Sequence, residues 1–170
     1  MSKKAFIITG PSSSGNHLMT ELLVNSGCIG TVSSEQTFEE DFKAGKDLLV
    51  WRGSMPKGGM GLWDIRSYIK RLQEKNYFVK VIVMTRDMYA CASSMVYKYD
   101  FNDVAHAMED IIEAYKHIFS NLERFNDIII VSYESLVFQK ESTINWLSRC
   151  INITLKTDVC IRNENKKWVE

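Results

Sequence analysis

Four short apolar runs alternate along the chain with longer stretches in which apolar residues recur at every third or fourth position. The runs are Ala5–Thr9, Leu48–Trp51, Phe78–Thr85 and Asp127–Val131. The last two are rich in β-branched residues, which is typical of strands covered on both faces. The pattern predicts buried strands at all four positions.

Helical periodicity fills the segments between the runs. It predicts helices at His17–Ser26, Leu62–Gln73, Val104–Leu122 and Ser142–Cys150, with the clearest apolar stripe in the third. Strands alternating with helices of this length predict an α/β fold with three layers, α/β/α, around a central parallel sheet of four to five strands. No repeat or linker divides residues 1–170, so the sequence predicts a single domain.

Two segments show neither the apolar runs of strands nor the periodicity of helices. They are Gly27–Lys46 and the glycine-rich Gly53–Gly61. Both are expected to be loops near the edge of the sheet. In folds of this type ligands bind outside the carboxyl ends of the strands, so these loops are expected to line a site.

Composition narrows the classes of partner. The 170 residues are 45% hydrophobic and 25% charged with zero formal net charge, so no global field favours nucleic acid or a membrane surface. Any anion site must therefore be local. The apolar run near the N-terminus is too short for a signal peptide or a membrane span. The four cysteines have no metal-binding spacing, which favours buried free thiols in a cytoplasmic protein.

The first strand leads into GPSSSGNH, Gly10 to His17, which has the G-x-x-x-x-G spacing of a Walker A phosphate loop. Gly10 permits a tight turn, and Gly15 lets a ligand approach the backbone at the N-terminus of a helix. Further hydroxyl donors come from Ser12, Ser13 and Ser14. The sequence predicts an anion cradle, and the alternative is a plain strand-to-helix connection capped by Ser14.

The loop lacks the two residues that a nucleoside triphosphate with magnesium needs. Asn16 and His17 replace the lysine that neutralises the phosphates and the hydroxyl that holds Mg²⁺. This favours an anion of lower charge, bound by neutral donors and the helix dipole without a metal.

A second anion-binding point is predicted where the third strand ends. Arg86 lies at that end, Asp87 is placed to cap the following helix, and Ser94 comes eight residues after the arginine. The alternative is a surface arginine that pairs with Asp87 or Glu134.

Together these motifs resemble the sulfotransferases that use 3′-phosphoadenosine 5′-phosphosulfate (PAPS). That family has a loop of the type G-x-x-(K/R)-(S/T)-G-(T/S) for the 5′-phosphosulfate. It also has a strand ending in R-(N/D)-P, with a serine eight residues after the arginine, for the 3′-phosphate. The segment IIIVSYESLV, Ile128 to Val137, is similar to the family's strand followed by Y-E-x-L.

The resemblance implies a P-loop nucleotide-hydrolase or sulfotransferase-like fold and PAPS as the donor, with adenosine 3′,5′-bisphosphate as product. With the loop's own chemistry, it places cofactor binding at Ser12, Ser13, Ser14, Gly15, Asn16, His17, Arg86 and Ser94. The acceptor is expected to be a hydroxyl or amine on a small molecule or glycan. No metal, nucleic acid or membrane is expected to take part, and the cytoplasm of a bacterium or of a virus's host is the expected location.

The chain departs from the family's pattern at three places. Ser13 occupies the position of the loop lysine or arginine, and Met88 replaces the proline. The family's R-K-G-x-x-G segment has no clear counterpart. Two interpretations of the tail IRNENKKW stay open: Arg162, Lys166 and Lys167 replace that segment, or the tail is solvated.

Candidate catalytic residues are few. His17 is either the base that accepts the acceptor's proton or a ligand of the phosphosulfate, whereas His106 and His117 are expected to face solvent. Arg52 or Lys57 is expected to supply the positive charge that Ser13 lacks. Two other functions stay open, a P-loop kinase of a nucleotide or small metabolite and a non-catalytic nucleotide-binding domain.

Overall fold

The computed structural model describes residues 3–30, 45–56, 62–99, 103–123 and 125–169. Within them four parallel strands form one sheet in the order β2-β1-β3-β4. The strands are β1 (Lys4–Pro11), β2 (Leu48–Met55), β3 (Phe78–Thr85) and β4 (Ile128–Ser132). All four predicted strands are present, and the predicted α/β fold with a parallel central sheet is confirmed.

Seven helices lie within the same described ranges. They are α1 (Asn16–Asn25), α2 (Ile65–Glu74), α3 (Met88–Tyr99), α4 (Val104–Leu122), α5 (Tyr133–Phe138), α6 (Lys140–Ile151) and α7 (Lys166–Val169). Four of them match the helices that periodicity predicts, with ends shifted by up to a few residues. The predicted cap of α3 is present too, because the Asp87 carboxylate accepts the backbone N–H of Ala90 at 2.8 Å.

The strand β2 is longer than its apolar run. It pairs with β1 up to Pro11 and Met55, so the prediction of a loop from Gly53 onward is wrong for residues 53–55. Glycine is needed in this strand because a Cβ at Gly53 would lie 2.3 Å from the indole of Trp63. Residues 31–44 and 57–61, which make up most of the two predicted loops, lie outside the described ranges.

The core is split between the two faces of the sheet. Alternation along β1 sends Phe6 and Ile8 to one face and Ala5 and Ile7 to the other. The first face packs against α1 and α6, and the second packs against α2 and α4. This is the predicted three-layer arrangement, in which packed helices on both faces hold the strands in place.

The carboxyl ends of β1 and β3 lie side by side, since Thr9 is in register with Val83. The chain passes from β1 to β2 on one side and then crosses to β3 on the other side of β1, so the strand order reverses at this point. Crevices at such points bind ligands in open α/β sheets. No helix among the described residues is long and apolar enough to cross a membrane.

Candidate functional site

Two glycines with positive φ lie at the ends of the loop, Gly10 at φ 153° near the end of β1 and Gly15 at φ 102° just before α1. Gly15 directly precedes α1. The N–H groups in the first turn of that helix have no partner within the helix, so they are available to a ligand. Ser13 also has a positive φ, 68°, a conformation that costs free energy for a residue with a side chain. The loop is therefore a tightly specified structure rather than a loose connection.

The side chain of Asn16 holds this loop in shape. Its amide nitrogen donates to the carbonyl oxygens of Gly10 (3.1 Å) and Pro11 (3.0 Å) and to the Ser54 hydroxyl (2.9 Å). Its oxygen accepts from the Ser14 hydroxyl at 3.3 Å. Asn16 is only 3% exposed and ties the loop to the end of β2. What Asn16 offers a ligand is therefore its backbone N–H.

The three loop serines have different surroundings. Ser14 is fully buried against Asn16, and the Ser12 hydroxyl donates to the carbonyl oxygen of Pro56 at 2.6 Å. Ser13 instead turns toward the second motif, and its hydroxyl accepts from the Ser94 hydroxyl at 3.2 Å. Sequence spacing does not distinguish these roles, because it treats all three as equivalent donors.

Arg86, at the end of β3, contacts the loop directly. Its Nη1 donates to the Ser13 carbonyl oxygen at 2.9 Å, and its Nε donates to the side-chain oxygen of Asn165 at 2.6 Å. The guanidinium lies 4.6 Å above the ring centre of Tyr133. Its third nitrogen, Nη2, is buried and has no hydrogen-bond partner among the described residues. A buried, unpaired N–H group on a charged side chain fits an anionic ligand.

The alternative, that Arg86 pairs with Asp87 or Glu134, does not hold among the described residues. The Asp87 carboxylate caps α3, and Glu134 accepts the Asp87 backbone N–H at 3.0 Å. Arg86 and Ser94, the predicted second anion-binding point, thus meet the predicted loop at one residue, Ser13.

A cavity of about 990 Å³ opens over this junction. Its predicted lining residues are Ser12, Ser13, Gly15, Asn16, His17, Arg52, Arg86 and Ser94. Five of its side chains are cationic, Arg52, Arg86, Lys98, Arg162 and Lys167, and two are carboxylates, Glu21 and Glu164. A chain with no net charge therefore concentrates positive charge at this cavity, as a local anion site requires.

His17 is the second residue of α1 and lines the cavity. Partial burial lowers the pKa of its imidazole, and the positive charges of Arg52 and Lys98 lower it further, against the opposing effect of Glu21. Its pKa therefore lies below the usual 6.5, so the ring is neutral and able to accept a proton at neutral pH. Lys57, the other candidate cation beside Arg52, lies outside the described residues.

The remaining histidines lie on α4, away from the cavity lining. His106 is exposed, as expected. The prediction that His117 faces solvent is wrong, because its ring nitrogen Nε2 lies 3.0 Å from the carbonyl oxygen of Trp63 and the residue is half-buried.

The C-terminal segment, residues 160–168, forms one wall of the cavity. The Tyr133 hydroxyl donates to the Arg162 carbonyl oxygen at 2.6 Å and accepts the Glu164 backbone N–H at 3.0 Å. The ring of Trp168 lies 5.6 Å from that of Tyr97. The segment therefore packs against the rest of the protein and is not a free solvated tail, although Arg162, Lys166 and Lys167 are all exposed. Among the described residues, no group of three or more His, Cys, Asp or Glu side chains is placed to hold a metal ion.

Two solved structures share this architecture. One is the sulfotransferase domain of the olefin synthase of Synechococcus PCC 7002, with a TM-score of 0.62 and 14% identity, over 97% of this chain and 79% of that one. The other is mouse sulfotransferase SULT7A1 in complex with PAP, with a TM-score of 0.57 and 13% identity, over 97% of this chain and 62% of that one. The chain has a sulfotransferase-like fold.

This sulfotransferase-like chain spans about four fifths of the first neighbour and less than two thirds of the second. No protein-family model and no curated protein matches its sequence. At identities of 13–14%, the likeness establishes the fold, and any activity has to be argued from the site.

Proposed function

We propose that this sulfotransferase-like protein transfers a sulfuryl group from PAPS to a hydroxyl or amine of a small molecule or glycan. The observation that carries the proposal is the convergence of Arg86 and Ser94 on Ser13 of the phosphate loop. A nucleotide with a 3′-phosphate and a 5′-phosphosulfate needs two anion-binding points in one crevice. The mouse neighbour, which carries PAP, supports the same ligand class.

The residues present fit such a donor. The buried Nη2 of Arg86 offers a charged donor at one anion-binding point. The first turn of α1 offers backbone N–H groups and the positive end of a helix dipole at the other. Neutral donors and a dipole suit a group of low charge, and the cationic side chains around the cavity complement the rest of the nucleotide.

When bound, PAPS supplies an activated sulfuryl group: the bond from sulfur to the 5′-phosphate oxygen breaks, a bond from sulfur to the acceptor forms, and adenosine 3′,5′-bisphosphate leaves. The N–H groups of α1 then stabilise the charge that grows on the 5′-phosphate. His17 is the proposed base, taking the acceptor's proton on a ring nitrogen while the loop holds donor and acceptor in line.

Arg52 is the proposed replacement for the cation absent at Ser13. It lies on β2, lines the cavity with the loop, and is close enough to His17 to lower its pKa. Lys57 follows the same strand and stays a prediction for the same role. Turnover of the donor by Lys57→Ala at the parent rate would exclude it.

The pH dependence of transfer tests His17 and Arg52 together. We expect kcat/KM to fall as pH drops through the pKa of His17, below 6.5, because a protonated imidazole cannot accept a proton. Arg52→Gln removes a positive charge that lowers this pKa, so the acid limb should move to higher pH. His17→Gln should remove the limb and lower kcat by about 100-fold or more. An acid limb unchanged in His17→Gln would show that another group is the base.

Ligand binding gives the first test of the proposal. Adenosine 3′,5′-bisphosphate without magnesium, at about 100 times its Kd, is expected to raise Tm by roughly 5–10 °C. Adenosine 5′-monophosphate and ATP with magnesium are the comparison ligands. A response to ATP with Mg²⁺ alone would contradict the proposal in favour of a kinase. Binding of the bisphosphate without transfer of labelled sulfate from PAPS to any of a panel of phenols, amines and glycans would indicate a non-catalytic nucleotide-binding domain.

A further inference from the structure

We infer that Asn165, in the C-terminal segment, is a positioning residue for Arg86: it fixes the guanidinium at the nucleotide site while leaving its positive charge for the 3′-phosphate. The inference rests on the proposed function and adds a residue with no counterpart in either sequence motif.

The contacts of Arg86 show what its orientation depends on. One edge is held by the Ser13 carbonyl oxygen at Nη1, another by the Asn165 oxygen at Nε, and one face by the Tyr133 ring. With these three contacts made, Nη2 is the nitrogen left without a partner among the described residues. Asn165 thus selects which corner of the guanidinium stays available to a ligand.

Glu134 determines which way the Asn165 amide faces. The amide nitrogen of Asn165 donates to a Glu134 carboxylate oxygen at 2.8 Å, so its oxygen must point away, toward Arg86. A carboxylate can only accept, which makes this orientation obligatory while Glu134 is ionised. Burial raises the pKa of Glu134, but hydrogen bonds from the Asp87 N–H, the Ser132 hydroxyl and Asn165 outweigh it, and the net shift is downward.

Tyr133, whose ring lies under the Arg86 guanidinium, also anchors the backbone around Asn165. The Tyr133 hydroxyl bonds to the backbone of Arg162 and Glu164, immediately before Asn165. The backbone N–H of Asn165 also donates to the Asn163 side chain at 3.1 Å. Tyr133 and Glu134, adjacent on α5, therefore fix the backbone and the side chain of this position respectively.

A neutral amide is the partner that serves an anion site. Asparagine satisfies the Nε donor of Arg86 without a negative charge, so the guanidinium keeps its full attraction for phosphate. Aspartate at the same position would have nearly the same shape, but it would form an ion pair with Arg86. It would also set a second carboxylate beside Glu134. Charge and shape can therefore be separated by one substitution.

The test compares Asn165→Asp with Asn76→Asp, which adds the same charge in the exposed turn before β3, at the opposite end of that strand from the cavity. Calorimetry measures Kd for adenosine 3′,5′-bisphosphate and for adenosine 5′-monophosphate, which lacks the 3′-phosphate. We expect Asn165→Asp to weaken binding of the bisphosphate by roughly 10- to 100-fold, because a charged hydrogen bond is lost and a repulsive charge added. Binding of the monophosphate should change by less than about threefold, and Asn76→Asp should match the parent.

Glu134→Gln is the second variant, for the case in which Asn165→Asp fails to fold. Glutamine can donate as well as accept, so the Asn165 amide is free to reverse, and the preference for the bisphosphate over the monophosphate should fall. An unchanged preference in the variants that fold overturns the role of Asn165 while leaving the proposed function standing. If the parent protein binds neither nucleotide, the proposed function and this inference both fail.

Discussion

Arg86→Ala is expected to weaken binding of adenosine 3′,5′-bisphosphate by about 100-fold or more. The Nη2 of the Arg86 guanidinium is buried at the cavity and has no hydrogen-bond partner among the described residues, and hydrogen bonds to charged groups contribute about 1.5–3 kcal/mol each. The substitution also leaves the Ser13 carbonyl oxygen and the Asn165 oxygen without the donor they now accept from. Isothermal calorimetry at fixed salt measures the loss.

Two variants separate the geometry of Arg86 from its charge. Arg86→Lys keeps a positive charge but cannot bond Ser13, Asn165 and a phosphate at once, so we expect it to recover only part of the affinity. Lys80→Ala removes one positive charge from the same strand, at an ion pair with Asp127, and should bind the nucleotide as the parent does. Binding by Arg86→Ala within about threefold of the parent would show that this arginine is no phosphate ligand.

The strands were predictable because each is a local apolar run, although the edge strand β4 is not covered on both faces and leaves Ile130 exposed. The end of β2 was not, since glycine and proline near residues 53–56 are typical of loops. There the packing of Trp63 over Gly53 outweighs local preference and extends the strand. The wrong prediction for His117 has a similar cause, a contact with Trp63 that lies 54 residues away.

The positions of the loop after β1 and of Arg86 were predictable for a different reason. Each follows a buried strand, and parallel strands bring their carboxyl ends to one edge, so sequence spacing carries most of the geometry. Asn165 lies 79 residues from Arg86 in a polar segment without periodicity, and no local pattern marks it. The directions of individual side chains could not be predicted from the sequence either. Asn16 looks like an anion donor in the sequence, whereas in the structure its amide ties the loop together.

Gly10→Ala is expected to be the most destabilising glycine-to-alanine substitution in the site. A Cβ at Gly10 would lie 2.6 Å from both the Met84 carbonyl oxygen and the Ser14 hydroxyl, and 2.9 Å from the Asn16 side-chain oxygen. The first of these is backbone of β3, which cannot move without disturbing the sheet, and the other two hold the loop in shape. We expect a loss of about 3 kcal/mol or more in the free energy of unfolding, or roughly 6–12 °C in Tm.

Gly27→Ala is the matched control, because it tests backbone strain without a clash. Gly27 has φ 100°, a conformation as unfavourable for alanine, yet nothing lies within 4 Å of the position its Cβ would take. It should lose only about 1–2 kcal/mol and keep its affinity for adenosine 3′,5′-bisphosphate. Gly10→Ala should lose both stability and the response to nucleotide. Equal losses in the two variants would mean that backbone strain alone accounts for the effect. In that case the close contact between the loop and β3 would not be what holds the loop in shape.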